Sequence, residues 1–255
     1  MASSVLKTSD IHISAIVQLG QISSNINLLE FAQALSLSDN ILYIEYGSDV
    51  TKGESKKKPK KANRDHPPKF FYNQITLHIF NTKRINVKIF NNGRIQMTGI
   101  NDESQGQQTI QLLLDEISKI SSDDKLSIFD SKTLEQGPIE TVLINSNFDI
   151  YREINREALH RAVVSHGYYS SYEPCSYPAV NIKYYYNPEK NNFGICDCEK
   201  PCDGKGKNGT CKKITVAAFK SGKIIIVGST KDNISTTYKF ITEFIQENND
   251  TLLIK

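Results

Sequence analysis

Ile11, Ile13, Ala15, Val17 and Leu19 alternate with His12, Ser14, Ile16 and Gln18, a period of two that predicts a strand with its first set as the apolar side. Leu28, Phe31, Ala32 and Leu35 then switch to helical spacing. A further strand is read at 41–47, and the period of two returns at 72–79, 85–90 and 94–99, with a tight Asn91-Asn92-Gly93 turn between the last two. Ile110, Leu113, Leu114 and Ile117 stripe a closing helix, whose start suits the Ser, Asp and Glu residues near 102–104. The plan then repeats. A strand at 142–147 precedes a helix carrying Ile154, Ala158, Ala162 and Val163; strands follow at 179–186, 214–219 and 223–228, and Ile234, Tyr238, Ile241 and Ile245 stripe the last helix.

The repeat is also visible residue by residue. Residues 85–99 recur as 214–228 at a constant offset of 129, with Ile85/Ile214, Val87/Val216, Phe90/Phe219, Gly93/Gly222, Ile95/Ile224 and Gly99/Gly228 identical and the charge kept at Arg94/Lys223. Two β-α-β-β-β-β-α units follow, an α+β class in which short connections make the sheet antiparallel and helices cover one face only. An antiparallel sheet can leave its other face to solvent. That open face carries an anomaly, because parity puts Phe90 and Phe219 on it. Counting from turns near 81–83 and 198 places Tyr72 beside Phe90 and Tyr177 beside Phe219, again on the open face, near Lys88, Asn181 and Lys183. Aromatics flanked by cations on an open sheet suit a nucleic-acid surface, where apolar wedges enter base steps and cations meet phosphates.

Composition narrows the picture. Hydrophobic residues make up 38% and charged residues 23% of the 255, with a net charge of +3, so the chain as a whole is no polycation. Its basic charge is concentrated at 52–64, KGESKKKPKKANR, which predicts an exposed loop or arm. No apolar run approaches the ~18 residues that span a bilayer, and MASSVLKTSDIH lacks a signal-peptide core, so a soluble intracellular chain with no membrane partner is expected. Four of the five cysteines, Cys196, Cys198, Cys202 and Cys211, crowd into one Gly- and Lys-rich segment. Four thiolates at such spacing can close a tetrahedral zinc site; free thiols and a disulfide are the other readings. The five histidines form no HExxH pattern, and no Walker loop or GxSxG occurs, so no enzyme is predicted.

KIFNNGRIQMTG (88–99), SYEPCSYP (171–178) and AFKSGKIIIVG (218–228) resemble the TATA-box-binding protein family, and the duplicated plan extends the likeness over most of the chain. The resemblance implies repeats at 10–122, with a basic stirrup insertion at 48–70, and at 138–250, with a Cys-rich insertion at 187–212. It implies a saddle-shaped, ten-stranded antiparallel sheet with helices on the convex face, whose concave face binds the minor groove of A·T-rich promoter DNA and bends it. The family's four wedge positions fall on Tyr72 or Phe71, Phe90, Tyr177 and Phe219, with parity favouring Tyr72. Phosphate-contacting positions correspond to Arg94, Lys223, Lys183 and His78. Thr98 keeps a groove contact whose counterpart is Val227, Lys88 replaces a DNA-facing aliphatic residue, and the central Asn pair becomes His12 and Leu143, with Asn145 as a substitute. Implied partners are transcription factor IIB-like and IIA-like proteins and the RNA polymerase machinery, in a nucleus or in a viral replication factory or virion, with no cofactor needed for DNA binding. Of the IIB-contact residues, Glu173 is kept and Cys175 replaces an acid. The competing expectation is an interaction or accessory nucleic-acid-binding module of the same fold without TATA specificity.

Overall fold

The structure is a computed structural model, which describes residues 6–55, 70–131, 133–187, 189, 194–199, 202–205 and 208–254. By packing, the chain divides into an N-terminal unit, Ala15–Val142, and a C-terminal unit made of Leu143–Lys255 together with Met1–Ser14.

In the N-terminal unit the strands are β1 (His12–Gln21), whose first residues belong to the other unit, β2 (Ile41–Tyr46), β3 (Val50–Gly53), β4 (Gln74–Asn81), β5 (Lys83–Phe90) and β6 (Arg94–Ile100). They lie in the order β3-β2-β4-β5-β6-β1, each neighbour antiparallel. The helices are α1 (Leu28–Ala34), α2 (Ser104–Ser118) and α3 (Ser122–Ile128). One face of the sheet presents Ile75, Leu77, Ile79, Ile85, Val87, Ile89, Ile95 and Met97, all buried, and α1 and α2 pack against the sheet. A large aliphatic side chain taken fully out of water contributes roughly 1.5–3 kcal/mol, so this row is the main stabiliser of the unit.

The C-terminal unit repeats the arrangement. Its strands β7 (Glu140–Asp149), β8 (Tyr169–Ser171), β9 (Val180–Tyr186), β10 (Lys212–Ala218) and β11 (Lys223–Gly228) run in the order β7-β11-β10-β9-β8, all antiparallel. Helices α4 (Arg156–Ser165) and α5 (Lys231–Glu247) cover Ile182, Tyr184, Ile214, Val216, Ile224 and Ile226, and a short α6 (Asn249–Leu252) follows. The duplication extends to the helix starts. Asn27 caps α1 by accepting from the Glu30 N–H, and Asn155 caps α4 by accepting from Ala158, with nearly the same backbone angles.

Three expectations are corrected. There are eleven strands among the described residues, not ten, because β3 forms a hairpin with β2 inside the stretch read as a basic loop. Lys52 belongs to that hairpin and donates to the carbonyls of Gln33 and Leu35 at the end of α1, so burial lowers its pKa and its role is to close the helix. The rest of the basic insertion, 56–69, lies outside the described residues. In β1 the apolar set is the outward one: Ile16, Gln18 and Gly20 are buried, while Val17 and Leu19 are half-buried opposite Thr98 and Gln96. Alternation fixed the period but not the side, because both faces of this strand are partly apolar.

Candidate nucleic-acid interface

Among the described residues no helix packs on the second face of either unit's sheet. In the N-terminal unit this open face is built from Thr76 and His78 on β4, Arg84, Asn86, Lys88 and Phe90 on β5, Arg94, Gln96 and Thr98 on β6, and Val17, Leu19 and Gln21 on β1. In the C-terminal unit it is Asn181 and Lys183 on β9, Lys213, Thr215 and Ala217 on β10, Lys223, Ile225 and Val227 on β11, and Asn145, Asn147 and Asp149 on β7. Most of these side chains are half-buried by their neighbours, so each face is a continuous surface, with Arg94, Lys213 and Lys223 exposed on it.

Two matched turns place the phenylalanines. The Gly93 N–H donates to Phe90 O at 3.0 Å and the Gly222 N–H to Phe219 O at 3.1 Å. Both glycines have positive φ, +74° and +90°, and a Cβ at either would sit 2.3 Å from a backbone carbonyl, of Ile22 or of Arg152. No other residue fits there, and this fixes each Phe at the end of its strand beside the cation that opens the next, Arg94 or Lys223.

The second aromatic of each unit shows where symmetry ends. Pairing places Gln74, not Tyr72, across from Phe90, because the turn closes on Thr82 (φ 60°) one residue beyond the centre that would align Tyr72. In the C-terminal unit the strand pairing ends at Val180 opposite Ala218, a register that extrapolates to Ala179, not Tyr177, across from Phe219. Tyr177 is nonetheless folded back onto Phe219, with ring centroids 6.0 Å apart in an edge-to-face contact. The turn that does this is tied to α4: Arg156 donates to the Pro178 carbonyl and lies over the Tyr172 ring, and the Tyr177 N–H donates to Glu173 O. Tyr72 is drawn elsewhere. Its ring lies on Gly47, meets Tyr46 edge-to-face at 5.7 Å, and its hydroxyl shares a 2.8 Å hydrogen bond with Ser48. Phe71 takes the open side instead, lining a small hollow with Glu45, Gln74 and Thr76, and is 62% exposed against 50% for Tyr72.

The cations divide similarly. Lys183 donates to Thr215 at 3.0 Å, and its pKa is lowered by burial and then by nearby Lys213. His78, read as a phosphate contact, is buried under Tyr43, with rings 4.8 Å apart, and its Nδ1 lies 3.3 Å from the Arg84 guanidinium. Arg84, itself half-buried, thus carries the charge at that corner. Arg84 and Lys213 occupy matched places and were missed in the sequence, although both fall on the open-face parity of their strands. Thr98 donates to Asn86 O at 3.4 Å, and Asn145 lies opposite Val227. The Asn181 side-chain oxygen is buried with no hydrogen-bond partner, so this face does not satisfy all its own polar groups.

A likeness in fold now has its geometric basis. The chain matches the TBP of Methanococcus jannaschii with a TM-score of 0.55 and 20% identity, over 94% of this chain and 99% of that one. The fold is that of a TATA-box-binding protein. In sequence the chain is similar to a TATA-box-binding protein-like protein of Acanthamoeba polyphaga mimivirus, 27% identical over 282 aligned residues that cover 94% of this chain. The chain spans 66% of that relative's length. No protein-family signature matches. The TATA-box-binding-protein resemblance read from the sequence is thus borne out by both sequence and fold.

The four thiols are also brought together. The Sγ atoms of Cys196, Cys198, Cys202 and Cys211 all lie within 4.8 Å of one another, a donor set able to hold a metal ion. Backbone donors at Cys211 and Thr210 lower Cys198 to about 6, whereas burial pushes Cys211 up to about 12. Cys175 is exposed and apart from them. Among the described residues no helix is long and apolar enough to cross a membrane.

Proposed function

We propose that this chain is a non-enzymatic transcription factor whose open faces bind the minor groove of A·T-rich duplex DNA and bend it, as a first step in assembling an initiation complex. The observation that carries the reading is the matched pair of turns, each setting a Phe beside a basic residue on a helix-free sheet face. Phe90 and Phe219 act as wedges; Tyr177 supports Phe219, and Phe71 rather than Tyr72 supports the N-terminal unit. Opening a base step costs a few kcal/mol, offset when the kinked duplex meets more of the protein. Lys88, Arg94, Arg84, Lys183, Lys213 and Lys223 meet phosphates, while Val17, Leu19, Ile225 and Val227 face base edges in the groove floor. A groove floor free of the guanine amino group favours such apolar contact, hence A·T preference. On this reading DNA binding requires no cofactor, IIB-like and IIA-like factors and polymerase join afterwards, and the site of action is a nucleus or a viral replication factory.

Titration of a labelled A·T-rich duplex by fluorescence anisotropy, with end-to-end energy transfer to follow bending, tests the proposal. Six phosphate contacts give a slope of log K on log salt of roughly −5. Equal affinity for single strands and duplex, with no dependence on salt, would sink it.

A further inference from the structure

The thiol cluster lies in the insertion between β9 and β10, a segment with almost no apolar side chain of its own to hold it in place. Order there needs another source, and the described residues show a built one. Four Sγ atoms within 4.8 Å of one another approach the separation of about 3.8 Å that tetrahedral zinc–thiolate bonds of ~2.3 Å impose. Cys198 and Cys211 are 3.5 Å apart, far beyond the ~2.05 Å of a disulfide, and all four thiols are free. Gly209, at φ +89°, leaves room that a side chain would fill: a Cβ there would sit 2.9 Å from the sulfurs of both Cys198 and Cys202. The Gly204 N–H donates to Cys202 Sγ at 3.3 Å, the outer support that stabilises a metal-bound thiolate.

We propose that Cys196, Cys198, Cys202 and Cys211 bind one structural Zn2+ as a closed tetrathiolate site. Zinc displaces the thiol protons and takes all four sulfurs, leaving no open position for catalysis. Its effect runs outward through named contacts. Cys211 is buried and adjoins the first residue of β10, while Gly204, bonded to Cys202, accepts the Lys213 N–H at 2.8 Å and packs on the Lys213 side chain. The metal therefore ties Cys196, Cys198, Cys202 and Gly204 to the start of β10, the strand that carries Lys213 onto the open face.

Metal analysis of the full chain, purified with reductant and zinc and then desalted, tests the site. About one equivalent of zinc is expected, replaceable by Co2+ with the d–d and thiolate charge-transfer bands of a tetrahedral sulfur site. Cys202→Ser should lower retained zinc at least tenfold, and Gly209→Ala, which pushes a methyl against the sulfurs of Cys198 and Cys202, should weaken zinc by an amount comparable to loss of an outer support, about 10- to 100-fold. Hydrogen exchange should rise at 202–213 on metal removal and stay unchanged in β5 and β6, which shows that the sheet still folds. A folded protein that is metal-free with four titratable thiols overturns the site. So does one with a Cys198–Cys211 disulfide, or a cobalt spectrum without thiolate bands. None of these readouts involves DNA, so the site can fail while the DNA-binding function holds, and the reverse.

Discussion

The open faces of the two units have the same frame and exchanged chemistry. Where β1 meets β6, Val17 lies opposite Thr98 and Leu19 opposite Gln96; where β7 meets β11, Asn145 lies opposite Val227 and Asn147 opposite Ile225. Each row pairs one apolar with one polar side chain, but the two strands have traded which supplies which. Duplication kept the composition of the row and let its order drift. What did not drift is the turn, because Gly93 and Gly222 each face a carbonyl that excludes any side chain. Position is thus held by backbone sterics, and chemistry by the sum over a pair.

The largest expected effect comes from removing the aromatic pair of one unit. Loss of a stacked aromatic contact typically costs 1–3 kcal/mol per ring, so Tyr177→Ala with Phe219→Ala should weaken A·T-rich duplex binding by about 10²-fold and reduce the bend. Phe90→Ala alone should lose about tenfold, since Tyr72 does not share its site. Circular dichroism should remain unchanged, because none of these rings lies in the helix-covered core. If the double variant bends DNA as well as the parent does, the aromatics are not wedges.

Next in size is the choice between Phe71 and Tyr72. Phe71→Ala should cost roughly 1–2 kcal/mol of binding, whereas Tyr72→Phe removes only the hydroxyl's hydrogen bonds to Ser48 and Asp49 and should leave affinity within about twofold. Anisotropy titrations of these two variants and of Tyr72→Ala decide it: a larger loss from Tyr72→Ala than from Phe71→Ala would return the role to Tyr72.

These differences mark what could be read in the sequence. The repeat, the strand periods and the open-face places of Phe90, Phe219, Arg94 and Lys223 were legible, since period and turn chemistry are local. The stripes of α1 and α5 were legible for the same reason, though Leu159 of α4, fully buried, was not singled out. The side of β1 was not legible, because Ile16 and Val17 are both aliphatic and a bulge between them shifts the register. Nor was the fate of Tyr72, which depends on Gly47 and Ser48, distant in sequence and unremarkable by type. His78 reads as a surface cation and is instead stacked under Tyr43, a contact across strands that no spacing reveals.

A smaller effect separates charge from shape. Arg84→Gln and Lys213→Gln occupy matched places, and each should reduce the salt slope by about 0.9 while weakening all duplex sequences alike. A change in sequence preference at constant slope would show that these side chains read bases, not backbone.

The smallest expected effect tests the exchanged rows. Thr98→Val makes the N-terminal row wholly apolar beside Val17, and Val227→Thr makes the C-terminal row wholly polar beside Asn145. A G·C pair places an amino donor in the minor groove, and an apolar neighbour leaves that donor without a partner. Leaving one donor unmet in a partly wet interface costs about 0.5–1 kcal/mol, less than the ~1–3 kcal/mol of a fully buried group. Thr98→Val should therefore sharpen discrimination against a single G·C substitution by about two- to fivefold, and Val227→Thr should relax it by a similar factor. Both variants keep the charge, so the salt slope should not move. The measurement is competition between an A·T-rich duplex and a set carrying one G·C pair at each position in turn. Opposite shifts at two different positions would show that each row reads its own part of the groove; shifts in the same direction, or at no position, would mean that the rows do not face base edges.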